Sequence, residues 1–175
     1  WDWGYISRNL NITMDIIENN LDKPWNWSGV SLNPNFNMEM FFKYPEFNWN
    51  LNWISKNPSV TLDIIKKYFH TDMWTWTLSL NPNITWDFIK QNLEWQWSWF
   101  YLSKNPNITW DIIKNNPTYP WMLTLIENPN VSVENVKSVP LLKKDISSLN
   151  NNPSITWDDV QKNPDVFWNY YKLSR

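Results

Sequence analysis

The sequence predicts an all-α fold, an elongated α-solenoid of about seven 24-residue two-helix repeats, and three observations carry that expectation. The first is a period. A phrase of the type Asn105-Pro106-Asn107-Ile108-Thr109-Trp110-Asp111-Ile112-Ile113-Lys114 recurs with its second residue at 10, 34, 58, 82, 106, 129 and 153, at intervals of 24 with a single 23. Self-similarity at a fixed spacing of this length marks stacked repeats. The second is a helix-capping residue at one fixed place in every repeat, and the third is a set of prolines locked to the same frame. Units fall near 1-24, 25-48, 49-73, 74-96, 97-120, 121-143 and 144-167, with a partial unit at 168-175, all within one repeat domain spanning 1-175. The chain opens on Trp1 in frame and ends inside a unit, so it is expected to be an excerpt of a longer array.

The first half of a unit reads as a short capped helix. Trp1, Trp25, Trp49, Trp97 and Trp168 precede the cap residues Asp2, Asn26, Asn50, Ser98 and Asn169. Four residues past each cap comes Ile6, Val30, Ile54, Leu102 or Leu173, so the tryptophan is the hydrophobic staple of the helix start. The helix must stop at the Asn before Pro34, Pro58, Pro82 and Pro106, because a residue preceding proline is pushed out of the helical region.

The second half carries the stronger signal. Thr13, Asn37, Thr61, Thr85, Thr109, Ser132 and Thr156 all have an oxygen able to accept from an unpaired amide of the first turn. Each sits between the partners of a staple, Ile12 with Ile17 in the first unit and Ile108 with Ile113 in the fifth. Two residues past each cap stands an acid, Asp15, Glu39, Asp63, Asp87, Asp111, Glu134 or Asp158, facing the positive end of the helix dipole. Pro45, Pro117, Pro140 and Pro164 then limit the helix to about two turns.

Three units depart from the frame. The fourth has one residue fewer between Trp74 and Pro82, the sixth has Met122 where a cap is expected, and the seventh has Lys144 in place of tryptophan. Asn135 and Asp159 replace an apolar residue, which predicts less apolar packing in the last two units. Helices this short fall below the roughly 12 to 15 residues that give even marginal stability in isolation, so the units must stack. Trp97 and Trp110 are expected to be buried between neighbours, and the absence of Ala with only two Gly predicts wide helix spacing. A disordered Asn-rich chain and a β-solenoid are the rival readings, and the cap, staple and proline order argues against both.

Composition bounds function. The chain holds 27 Asn, 16 Trp, 12 Pro, no Cys and one His, with a net charge of −2 and a pI near 5.4. Without Cys there is no disulfide framework and no thiolate ligand or nucleophile, which favours an intracellular setting. No apolar run reaches the length of a membrane span. Two glycines, Gly4 and Gly29, cannot build a phosphate-cradling loop, so no cofactor is expected. The acidic balance provides no electrostatic footprint for nucleic acid. Five Asn-X-Ser/Thr sequons, at Asn11, Asn26, Asn83, Asn107 and Asn130, are better explained by the cap motif than by glycosylation.

The phrases Asn-Pro-Asn-Ile-Thr-Trp-Asp-Ile-Ile-Lys-Asn-Asn-Pro at 105-117 and Asp-Lys-Pro-Trp-Asn-Trp at 22-27 resemble the Asn- and Trp-rich tandem repeat proteins encoded by giant DNA viruses of amoebae. The resemblance covers essentially the whole chain. It implies a repeat array located in the host cytoplasm or the virion, and it brings no active site to carry over.

No catalytic or metal-binding constellation emerges. His70 reads as a loop residue between units, and the recurring acids are explained by their helix starts. Binding is left to aromatics outside the repeat frame, since stacking does not require them: Trp53, Tyr68, Phe69, Trp95 and Tyr119 are the candidate protein-binding residues. The expected function is a non-enzymatic scaffold for protein-protein interaction. The alternatives are a structural component of a self-assembling, virion-associated array or filament, built by head-to-tail association, and then a repeat-based nucleic-acid binder.

Overall fold

A computed structural model describes residues 1-68 and 74-173, and every regular element among them is helical. Phe69 and His70 lie outside the described residues. No helix among the described residues is long and apolar enough to cross a membrane. The chain forms two compact units, Trp1–Ile84 and Thr85–Arg175.

The second-half helices form where the caps place them: Met14–Glu18, Met38–Lys43, Leu62–Lys67, Trp86–Gln91, Trp110–Asn115, Val133–Ser138 and Trp157–Lys162. Each of the seven caps accepts the amide three residues on through its side-chain oxygen. Asn135 and Asp159 turn out to be capping-box partners. Their side chains accept the amides of Ser132 at 2.9 Å and Thr156 at 2.8 Å, which accounts for a polar residue at an otherwise apolar position.

The first-half elements divide. Regular units give α-helices, Trp3–Arg8, Trp27–Leu32, Leu51–Lys56 and Trp99–Leu102. The fourth, sixth and seventh units, the ones that depart from the frame, give 3-10 helices instead, Trp76–Leu80, Leu123–Glu127 and Ile146–Asn151. Neither Met122 nor Asp145 makes a side-chain cap, so the first turn there is held by tighter i to i+3 bonding alone. Pro140, expected only to end a helix, also opens one, Pro140–Lys143, where its missing N–H costs nothing at the first helical position.

Within the first compact unit the first-half elements pack in succession, Trp3–Arg8 on Trp27–Leu32, Trp27–Leu32 on Leu51–Lys56, and Leu51–Lys56 on Trp76–Leu80. Met14, Ile17, Trp25, Val30 and Met40 form a buried cluster beside this stack. In the second unit Leu123–Glu127 packs on Ile146–Asn151, which carries the last helix, Tyr170–Leu173.

Small residues do stand at these contacts, and they are serines. Ser7, Ser31, Ser55, Ser79 and Ser103 are buried at one place in the frame. Gly29 approaches so closely that a Cβ there would lie 3.0 Å from Ser7 Cβ. The expectation of wide spacing, drawn from the lack of Ala, missed serine because its hydroxyl is as compact as a methyl once it has an acceptor or donor to satisfy it.

Candidate functional site

The residue that organises the repeat is the asparagine before proline. Asn33, Asn57, Asn81, Asn128 and Asn152 are all buried, and none of them lies in a helix. Asn33 Nδ2 donates to the carbonyls of Ser7 at 3.0 Å, Asn9 at 3.1 Å and Ile12 at 3.0 Å, one repeat earlier. Asn81 does the same to Ser55, Asn57 and Val60 at 2.9, 3.2 and 3.2 Å, and Asn152 to Ile126, Asn128 and Val131 at 2.8, 2.9 and 2.9 Å. The carboxamide oxygen turns inward and accepts the amide two residues on, as from Asn35 at 2.8 Å and Ser154 at 2.9 Å. One side chain thereby closes its own turn and ties three backbone carbonyls of the preceding repeat. Only Asn has both halves at this length, because Asp lacks the donors and Gln would overreach the turn.

Two further contacts repeat with it. The serine two residues earlier accepts the cap amide of the following repeat: Asn26 donates to Ser7 Oγ at 3.0 Å, Asn50 to Ser31 Oγ at 3.0 Å, and Met122 to Ser103 Oγ at 3.0 Å. The asparagine two residues later reaches the preceding repeat as well, Asn83 to the Pro58 carbonyl at 2.8 Å and Asn130 to that of Pro106 at 2.6 Å. Those sequon carboxamides are therefore engaged in packing. Sequence reasoning took the Asn-Pro pair as a helix stop alone. The available signal was its recurrence as Asn before Pro34, Pro58, Pro82, Pro106, Pro129 and Pro153, which a stop does not demand.

The tryptophans act at helix ends. Trp25, Trp49, Trp97, Trp121 and Trp168 each donate the indole N–H to the carbonyl five residues earlier, at 2.7 to 2.9 Å, just past a helix end, as a second donor beside the backbone amide three residues on from that carbonyl. Trp97 is buried as expected, whereas Trp110 is only half-buried. Trp86, its counterpart one repeat earlier, is buried, and Trp157 at the same register is 63% exposed.

The candidate binding aromatics are placed as follows. Trp53 is half-buried with the Lys56 ammonium 3.7 Å above its ring. Burial holds the Lys56 pKa below its ordinary value. Tyr68 lies 4.6 Å from the Phe42 ring. Trp95 meets Trp97 at 5.4 Å and Phe88 at 6.5 Å. Tyr119 stacks on Trp99 at 5.1 Å and 25° and meets Trp86 edge-on at 5.1 Å. Phe69 falls outside the described residues. Trp95 and Tyr119 are in frame after all. Phe47, Trp95 and Tyr119 share the position two before a staple tryptophan, and Phe47 stacks on Trp27 at 3.9 Å as Tyr119 does on Trp99. The aromatics are thus brought into separate intramolecular clusters, each leaving part of its rings at the surface.

Charges pair locally. Asp87 meets Lys90, Asp111 meets Lys114 and Asp158 meets Lys162 along single helices, and Lys104 reaches Glu127 at 2.6 Å. In the first unit the Lys43 ammonium and the Tyr44 hydroxyl both donate to Glu18, which holds its carboxyl below the ordinary 4.5. A carboxyl depressed in the folded state adds stability above its unfolded pKa and loses it as pH falls through the folded one. Glu18→Gln is expected to flatten the acid limb of a stability-pH curve below about pH 4.5, leaving the neutral limb nearly level because the pair is exposed. An unchanged acid limb would remove Glu18 from the account.

Comparison with protein families, with characterised proteins and with solved structures returned no match.

Proposed function

We propose that this chain is a non-enzymatic helical-repeat scaffold for protein-protein interaction, an α-solenoid of about seven 24-residue units acting inside the cell, in host cytoplasm or virion if the viral resemblance holds. The observation that supports the reading is the asparagine ladder. Each compact unit spends its buried polar side chains on tying one repeat to the backbone of the one before, with the same atoms in the same register. Carbonyl-to-carboxamide ties of this kind specify how repeats stack and are indifferent to the surface residues, so the surface is free to carry partner contacts. The half-exposed rings of Trp53, Tyr68, Trp95 and Tyr119 are the anchors of that surface, since aromatic side chains supply large contact area at low entropic cost.

The test is site-specific photo-cross-linking in the native host. A benzophenone residue at Tyr68 or Tyr119 should recover a protein that the same probe at exposed Glu94 does not. Equal recovery from all three positions would remove the aromatic surface as the binding site. Nucleic acid is the competing ligand. With a net charge of −2, retention on single-stranded DNA or RNA at physiological salt should be absent, and sub-micromolar binding that weakens steeply with added salt would replace the proposal.

A further inference from the structure

On the basis of the scaffold reading above, we infer that Lys56, held over the Trp53 ring in the first compact unit, is the recognition point for a carboxylate of a partner protein, carried on a segment that sets an apolar side chain beside its Asp or Glu. Lys56 Nζ lies 3.7 Å from the centre of the Trp53 ring. Among the described residues this ammonium makes no ion pair and no hydrogen bond.

The repeat frame shows what is missing there. Lys56 is the residue before a ladder asparagine, and Lys104 holds the same place in the second unit. The Lys104 ammonium also lies over an aromatic ring, that of Phe100 at 4.9 Å, and it reaches Glu127, the residue at this place one repeat later, at 2.6 Å. The residue one repeat after Lys56 is Leu80, and the one before is Leu32. Both flanking elements, Trp27–Leu32 and Trp76–Leu80, pack on the helix Leu51–Lys56, so the place is interior to the stack and its neighbours are all in position. A frame that supplies Lys104 with a carboxylate supplies Lys56 with two leucines.

The result is a half-buried cation met by a ring on one side and by no anion. Burial without a neighbouring charge to offset it holds the Lys56 pKa below its ordinary value. A carboxylate brought by a partner finds the place prepared. The ammonium is already partly stripped of water, so the bond forms at a lower effective dielectric than between two hydrated groups. Its side chain is already laid on Trp53, so less rotamer freedom is lost on binding. Leu32 and Leu80 are half-buried at the same level of the flanking elements, and Trp76 opens the next element with 53% of its surface exposed, which gives the partner's apolar side chain a surface to cover. A nucleic-acid backbone suits the place less well. Its phosphates are tracked by rows of cations, and here the row reads Leu32, Lys56, Leu80.

Peptide retention on the immobilised full chain tests the assignment, with three degenerate octapeptide pools whose fixed centres are Glu-Leu, Gln-Leu and Lys-Leu. The Glu-Leu pool should be retained about fivefold or more over the Gln-Leu pool, as one charge-assisted hydrogen bond gives. Lys56→Gln should erase that preference and Lys56→Arg should keep it, both at unchanged melting temperature. Lys56→Glu should invert it toward the Lys-Leu pool, an exchange that a merely structural lysine would not produce. Lys104→Gln should leave it intact, because that ammonium already has Glu127. No preference for Glu-Leu, a preference that survives Lys56→Gln, or one that Lys104→Gln abolishes would each overturn the inference. Retention of a fluorescent thymidine oligonucleotide that is lost in Lys56→Gln would overturn it in favour of phosphate. A protein recovered by cross-linking from Tyr68 or Tyr119 in the absence of any Glu-Leu preference would leave the scaffold reading standing and remove only the role of Lys56.

Discussion

Asn57→Leu is expected to lower the unfolding free energy by about 3 kcal/mol or more. Asn57 is 1% exposed, and its Nδ2 donates to the Ser31 and Asn33 carbonyls at 2.9 Å each. Its Oδ1 accepts the Ser59 amide at 2.9 Å and the Ser59 hydroxyl at 2.8 Å. Leucine fills about the same volume and takes this partner from the Ser31 carbonyl and the Ser59 amide, while the Asn33 carbonyl keeps the Phe36 amide at 3.0 Å; a stranded buried group costs roughly 1 to 3 kcal/mol. Denaturant unfolding with an unchanged m-value gives the number directly. A loss below about 0.5 kcal/mol would mean that apolar packing holds the repeats together and the ladder merely accompanies it.

Asn57→Asp separates donor loss from volume. A carboxylate at this place faces the carbonyls of Ser31 and Asn33, so its pKa in the folded chain rises above the unfolded value. A raised folded pKa gives stability that is present below the unfolded pKa and is lost as pH rises through the folded one. The aspartate variant should therefore be least stable at neutral pH and regain part of the loss in acid, where a protonated carboxyl can donate to one carbonyl. The leucine variant should show no such recovery.

The helices were legible because their information is local. Thr13, Thr61 and Thr109 each cap the amide three residues on, and the acids beside them sit in the same first turn, so spacing alone fixed the element starts. The 3-10 helices at Trp76–Leu80 and Leu123–Glu127 were visible only as irregularities, since losing one residue or one cap says that a turn is perturbed without saying how it closes. What lay beyond reach were contacts between residues about one repeat apart. Asn33 to Ser7 spans 26 residues and Asn26 to Ser7 spans 19, and no local rule predicts that a helix-stop asparagine bonds there. The serines were missed for the same reason. A composition without Ala looked unable to bring helices close, until Ser7 Oγ proved to be satisfied by the next repeat's amide. Trp95 and Tyr119 looked out of frame because their position also holds Lys23 and Val166, and only the shared stacking of Phe47 and Tyr119 exposes the register.

The tryptophans make a second test, because their two roles predict different losses. Trp97→Ala removes a ring that is 9% exposed and lies 6.1 Å from Phe88 and 5.4 Å from Trp95, so it should cost about 3 to 5 kcal/mol, as large aromatic truncations in packed cores do. Trp97→Phe keeps most of the apolar contact and deletes only the indole N–H that reaches the Asn92 carbonyl at 2.8 Å, at the end of the helix Trp86–Gln91. If helix-end capping explains why this position is tryptophan, the phenylalanine variant should still lose about 0.5 to 1.5 kcal/mol, the net worth of one hydrogen bond, because the Asn92 carbonyl keeps the Trp95 amide at 3.2 Å. Trp157→Ala serves as the reference. That ring is 63% exposed, and its replacement should change stability by no more than about 0.5 kcal/mol. Thermal or chemical unfolding of the three variants ranks them. Phenylalanine as stable as tryptophan at position 97 would reduce the indole to a space-filling ring, and would leave the recurrence of Trp at 25, 49, 97, 121 and 168 without its hydrogen-bond explanation.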